Sequence, residues 1–137
     1  MTEPTVTTHY SNVSQLMQMH IHYADKDKGI IEAHFNAVDS FTNSIGNVQG
    51  GILTAMLDDL MGYALGITMP VNEFAPTAHL NVSFLRPAAV GPLQGRGQIL
   101  KREGDVYHLA AKLFNPQGLI IASATAKAKR GRIVLAE

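Results

Sequence analysis

The sequence contains no cysteine and no tryptophan. The missing thiol excludes a disulfide framework, a thiolate zinc site and a cysteine nucleophile together, so hydrolytic chemistry must use oxygen or imidazole. Lysine and arginine are absent between Lys28 and Arg86. There is also no long apolar run: the most apolar stretch, residues 50–70, is broken by Asp58 and Asp59 and falls short of the roughly 20 residues a membrane span needs. Residues 1–18 have no basic start and no apolar block, so they do not read as a signal peptide. The expectation is a cytoplasmic protein without a membrane partner. Eleven Lys and Arg balance eleven Asp and Glu, and this zero net charge removes the electrostatic case for binding nucleic acid.

The balance hides an asymmetry. Residues 1–85 carry only Lys26 and Lys28 against eight acids, whereas residues 86–137 carry nine basic residues against three acids. The length, 137 residues, suits one globular domain spanning the whole chain, 1–137.

Two periodicities divide that domain. Met19, Ile21 and Tyr23 alternate with polar residues, Asp25-Lys26-Asp27-Lys28-Gly29 makes a turn, and Ile31, Ala33 and Phe35 alternate again, which predicts a hairpin. Between residues 51 and 67 the apolar residues Ile52, Leu53, Met56, Leu57, Leu60, Met61, Ala64 and Leu65 recur at three- and four-residue spacing, and Pro70 ends the run. That spacing predicts one helix of about seventeen residues, apolar over most of its circumference. Period two returns in Ala78, Leu80, Val82 and Phe84, and three further strand-like runs follow, at 93–102, 106–114 and 119–129. The last places Ile120, Ala122, Ala124, Ala126 and Ala128 on one face. The expected order is two strands, a helix and a four-stranded meander. One sheet face cannot cover a helix that is apolar nearly all round, so the sheet should curl around it or a second subunit should help.

Asp58 lies mid-helix, and its neighbours three and four residues away, Thr54, Ala55, Met61 and Gly62, offer it no charge partner. With Gly51, Thr54, Ala55 and Gly62 it forms a stripe of small residues that leaves room for an approaching group. Partial burial without a cation raises a carboxylate's proton affinity, which suits a base or a nucleophile. The plainer alternative makes Asp58, like Asp59, a solvated helix-surface residue or the partner of a distant arginine. Upstream, Asn43-Ser44-Ile45-Gly46-Asn47-Val48-Gln49-Gly50-Gly51 leads straight into the helix. Free backbone N–H groups there can meet a carbonyl oxygen and stabilise charge on it; the plainer alternative is that the glycines serve only a tight loop-to-helix turn.

Asn43, Gln49-Gly50-Gly51, the helix segment Ile52-Leu53-Thr54-Ala55-Met56-Leu57-Asp58-Asp59 and Asn81-Val82-Ser83-Phe84-Leu85-Arg86-Pro87 occur in an order that resembles the hotdog-fold acyl-CoA thioesterases of the phenylacetate-degradation (PaaI-like) type. The resemblance covers roughly residues 30–130. It implies an α+β hotdog fold, a curved antiparallel sheet of five to six strands wrapped around one long central helix, and hydrolysis of a small or medium acyl- or aryl-CoA without a cofactor. It implies that Asp58 activates or replaces the attacking water and that the Gly50 N–H polarises the thioester carbonyl. Asn43 would help hold water or carbonyl, and Thr77 would supply a hydroxyl from a partner subunit. Gln49, Gly51 and Arg86 would contact substrate. The site would lie across a homodimer interface, often within a dimer of dimers.

Many relatives have histidine where this chain has Gln49, and a Gln amide donates a hydrogen bond but takes up no proton near neutral pH. The alternative function is therefore a non-catalytic module that binds acyl-CoA or acyl-carrier protein. The segment before the first strand is short, which argues against an added N-terminal helix.

Other signals are weaker. If hairpin partners sum to 54, His20 faces His34 and His22 faces Glu32, a conceivable metal cluster, although exposed polar pairs are commoner; no metal is assigned. No serine lies in Gly-x-Ser-x-Gly, and Gly95-Arg96-Gly97 sits inside a strand pattern, so neither a nucleophile elbow nor a dinucleotide loop is indicated. His34-Phe35 is similar to the start of a hotdog dehydratase site, but the position fourteen residues on is Val48, not an acid. Finally, Arg86, Arg96, Lys101, Arg102, Lys127, Lys129, Arg130 and Arg132 are candidates for a rim that holds CoA phosphates.

Overall fold

The computed structural model describes residues 9–132. A short helix α1 (Asn12–Leu16) precedes the hairpin β1 (His20–Asp25) and β2 (Ile30–Ala37). A 3-10 turn, Asp39–Phe41, leads to the long helix α2 (Gly50–Gly66). Then come a two-residue strand β3 (Glu73–Phe74), β4 (Thr77–Phe84), β5 (Gly91–Glu103), β6 (Val106–Phe114), β7 (Ile120–Lys129) and β8 (Gly131–Arg132). α1 corrects the expectation of no N-terminal helix: Ser11 caps it by accepting from the Ser14 N–H at 3.1 Å.

Six strands form one antiparallel sheet in the order β1-β2-β5-β6-β7-β4, while β3 pairs with β8 separately. The predicted meander is therefore only partly realised. β5, β6 and β7 follow one another, but β4 crosses to the far edge beside β7 and β5 slots against β2. Periodicity marks a strand's two faces and carries no information about its neighbours.

Helix α2 buries Leu53, Met56, Leu57, Leu60, Met61, Ala64 and Leu65 against the sheet. Two glycines of β5 set how close it comes. A Cβ on Gly97 would stand 2.1 Å from the Leu60 carbonyl oxygen, and one on Gly95 would meet the Leu60 side chain. Their role is thus to admit the helix backbone to the sheet. Ala122, Ala124, Ala126 and Ala128 of β7 are buried as expected, but an irregularity in the β6/β7 pairing puts Ile121, not Ile120, fully inside.

The opposite side of α2 is left open. Gly51, Gly62 and Gly66 are exposed, Thr54, Ala55 and Asp58 are half-buried, and among the described residues nothing outside the helix itself lies within 4 Å of a Cβ built on Gly62 or Gly66. β4 is an edge strand on which Phe84 is 54% exposed, and Leu85 just beyond it is 53% exposed. The uncovered stripe and the open edge adjoin, since β4 packs against α2.

Candidate active site

The start of α2 is held by a loop organised around Asn43. Its Oδ1 accepts from the N–H groups of Ile45 and Asn47, both at 3.1 Å, while Gly46 takes the left-handed φ of +86° that closes the turn. The loop returns through a bridge between Thr42 and Val48 and delivers Gln49 as the N-cap residue. Gln49 makes no side-chain cap; its amide lies by Gly51, whose Cβ would stand 3.4 Å from Oε1. The Gly50 and Gly51 N–H groups have no acceptor among the described residues. At Gly50 a side chain would press on the Phe84 ring, 3.2 Å from Cζ. A surface cavity of about 350 Å³ opens here, lined by Asn43, Gly50, Phe84 and Arg86 among others. Arg86 is fixed by donating from Nη1 to the Ile120 carbonyl at 2.6 Å.

Two turns further on, Asp58 accepts a 2.8 Å hydrogen bond from the Thr77 hydroxyl. It has no cation partner among the described residues. The Thr77 hydroxyl reaches the carboxylate of its own chain because β4 runs along the open side of α2, so Thr77 and Asp58 act as a pair from one copy of the chain. The site residues thus fall into two groups: Asn43, Gln49, Gly50, Gly51 and Arg86 at the helix start, Asp58 and Thr77 at mid-helix. Eight residue steps along the helix separate Gly50 from Asp58, about 12 Å along the axis.

Sequence reasoning missed a polar network behind the helix. Asp59 is no solvated surface residue: its Oδ2 accepts from the Ser14 hydroxyl at 2.6 Å, and Ser14, fully buried, also meets the Tyr63 hydroxyl at 3.0 Å and the Ser11 hydroxyl at 2.8 Å. Burial pushes the Asp59 carboxyl above its ordinary pKa; the Ser14 hydrogen bond opposes this and the Asp58 charge adds to it. The available signal was Ser11 with Ser14, a helix-capping pair before a short apolar turn.

The histidine hairpin is half as expected. His20 faces His34, but a bulge between Ile21 and Tyr23 shifts the register so that Tyr23, not His22, opposes Glu32. The rings of His20 and His22 lie 5.0 and 5.7 Å from that of His34. Glu32 pairs instead with Arg96 at 3.4 Å. Among the described residues no group of three His, Cys, Asp or Glu side chains is arranged to hold a metal. Burial, then the neighbouring His20 and His22, push the His34 pKa down.

The sequence profile of the thioesterase superfamily matches residues 45–122, which include the helix start, Asp58, Thr77 and Arg86. The chain belongs to the thioesterase superfamily. A phenylacetic acid degradation-related protein of Ralstonia eutropha JMP134 is 34% identical, with 89% of this chain and 92% of that one covered and a TM-score of 0.85. The Escherichia coli PaaI protein of the phenylacetic acid degradation operon shares the fold at 19% identity, with 90% and 86% covered and a TM-score of 0.79. A Streptococcus mutans UA159 protein bound to acetyl CoA does so at 16% identity, with 94% and 95% covered and a TM-score of 0.76. No curated protein matches the sequence significantly. This superfamily member is a hotdog-fold thioester hydrolase of the PaaI type.

Proposed function

We propose that the protein hydrolyses an acyl-CoA thioester to a carboxylic acid and free CoA, at a composite site built from two copies of the chain. The observation that carries this reading is the 12 Å gap. An oxyanion donor and a base must both come within about 3 Å of the reacting group, and Gly50 and Asp58 of one helix cannot do so. Two α2 helices packed antiparallel across a two-fold axis, with their small-residue stripes facing, would set Gly50 of one copy opposite Asp58 of the other. The uncovered stripe and the free β4 edge supply the surface for that contact.

In this arrangement Asp58 takes a proton from a water whose oxygen attacks the thioester carbon. The Gly50 N–H and the dipole of α2 stabilise the negative oxygen that forms, and the tetrahedral species collapses with loss of the CoA thiolate, which regains a proton. Thr77 orients the carboxylate through its hydroxyl bond. Direct attack by Asp58, giving an anhydride that water then opens, uses the same groups. Asn43 spends Oδ1 on its own loop, so only its amide N–H group remains for substrate. The bound acetyl CoA of the Streptococcus mutans fold relative supports CoA as the carrier.

A metal-free assay with short, medium and aryl acyl-CoA substrates tests the reading. Asp58→Asn should lower kcat about 10²–10⁴-fold while leaving substrate binding in place. Equal turnover by Asp58→Asn and wild type would sink it. Saturable acyl-CoA binding by a wild-type protein that turns over none of these substrates would favour the non-catalytic binding module.

A further inference from the structure

Most basic residues of the second half are committed locally. Arg96 pairs with Glu32, Arg130 with Glu73 and Asp105, Arg102 bonds the Gly104 carbonyl and stacks over Tyr107, and Arg86 holds Ile120. Lys127 has no acidic partner among the described residues. It also stands in an unusual row. Strand register puts His79 of β4 opposite Lys127 of β7, Lys127 opposite His108 of β6, and His108 opposite Lys101 of β5. The alternation with buried Leu109, Ala126 and Ala128 turns these side chains to the sheet face away from α2.

Among the described residues the only acid in contact with the row is Glu103, which bonds Lys101 at 3.0 Å and His108 at 2.9 Å. Over the row lies a cavity of about 310 Å³ lined by His79, Lys127, His108, Asn81, Thr125 and Leu100. A bulge between Ile99 and Lys101 pushes Leu100 outward, 53% exposed, to form its apolar wall. A second hollow of about 460 Å³ continues from it past Glu103 and Lys129. A sheet that gathers cations, amide and hydroxyl donors and an apolar wall around one hollow offers the complement of a phosphorylated ligand.

We propose that this outer-face cavity binds a small molecule carrying more than one phosphoryl group, with Lys127 at its centre, His79 and His108 flanking and Leu100 against an apolar part. Neighbouring strands lie about 4.8 Å apart, so the row from His79 to Lys101 runs about 14 Å, enough for two phosphoryl groups in succession. The sheet separates this cavity from Asp58, so the binding claim stands apart from the catalytic reading. Only the identification of CoA as the source of the phosphates rests on that reading.

Calorimetric titration of the full-length protein with inorganic pyrophosphate at low salt tests the site. The expected result is saturable uptake, weakened about tenfold or more by Lys127→Ala and retained by Lys127→Arg. Lys112→Ala, on a different outward row, should bind as wild type does. No saturable uptake at millimolar pyrophosphate, or equal uptake by Lys127→Ala, overturns the proposal. Given binding, competition by CoA together with a raised KM and unchanged kcat for acyl-CoA in Lys127→Ala assigns the site to the phosphates of CoA. Binding without competition assigns it to a separate phosphorylated ligand.

Discussion

A composite site makes an unusual demand: two inactive variants should restore one another. Asp58→Asn removes the base. Gly50→Pro removes the N–H donor with little harm to the fold, because Gly50 is the first residue of α2, where proline is tolerated, and Gln49 before it already has the extended ψ of 140° that a following proline requires. The new ring would press on Phe84, whose Cζ lies 3.2 Å from the built Cβ, but that side chain is 54% exposed and has room to swing. Losing one oxyanion donor costs about 10²–10³ in kcat and losing a general base about 10²–10⁴, so each parent should retain about 1% of activity or less. In a dimer that mixes freely, half of the molecules pair one variant with the other. Each mixed dimer has one site in which both defects meet and one in which Asp58 and Gly50 are both intact. Equal co-expression, with a different affinity tag on each variant, should therefore give about a quarter of wild-type turnover per chain. The mixed dimer isolated through both tags should reach about half. If it is no more active than its parents, Asp58 and Gly50 do not act across the interface and the composite site is wrong.

Ser14→Ala leaves the half-buried Asp59 carboxylate without its hydroxyl donor and should cost about 1–3 kcal/mol in urea unfolding; a change within error would show that α1 does not secure α2 through this bond. Gly97→Ala would drive a methyl into the Leu60 carbonyl and should destabilise by about 1–3 kcal/mol or more, read as a lower Tm, and an unchanged Tm would contradict the close approach of α2 to β5. For pH the sign follows from His34, whose folded pKa lies below its ordinary 6.5. The unfolded chain then takes up protons that the folded one resists, so this contribution to stability is present above about pH 6.5 and drains away as pH falls through that value towards the folded pKa. His34→Gln should flatten the fall of Tm between about pH 7 and about pH 5, and an unaltered slope would remove the stacked imidazoles as its cause.

Much of the site was legible because its parts are local. The capping loop, the Gly50-Gly51 start and the Asp58 position lie within one stretch of sixteen residues, from Asn43 to Asp58, where chain connectivity itself fixes the spacing. The Ser14 to Asp59 bond spans forty-five residues and left no pattern beyond a capping pair. Gly95 and Gly97 stood inside a strand pattern with no role of their own, because the helix backbone that lies on them comes from a distant part of the chain.

By itself, then, the sequence determined the six long strands and α2, the alternation of faces along much of those strands, and the separation of Gly50 from Asp58 along one helix, since these follow from backbone periodicity. Only the tertiary structure decided which strands are neighbours, that Thr77 reaches its own chain's Asp58, that a bulge takes His22 out of register with Glu32, and that His79, Lys127, His108 and Lys101 share one row. The reason is physical: pairing distant strands is settled by packing around α2 and by bulges that shift register by one residue, and neither leaves a local trace in the chain.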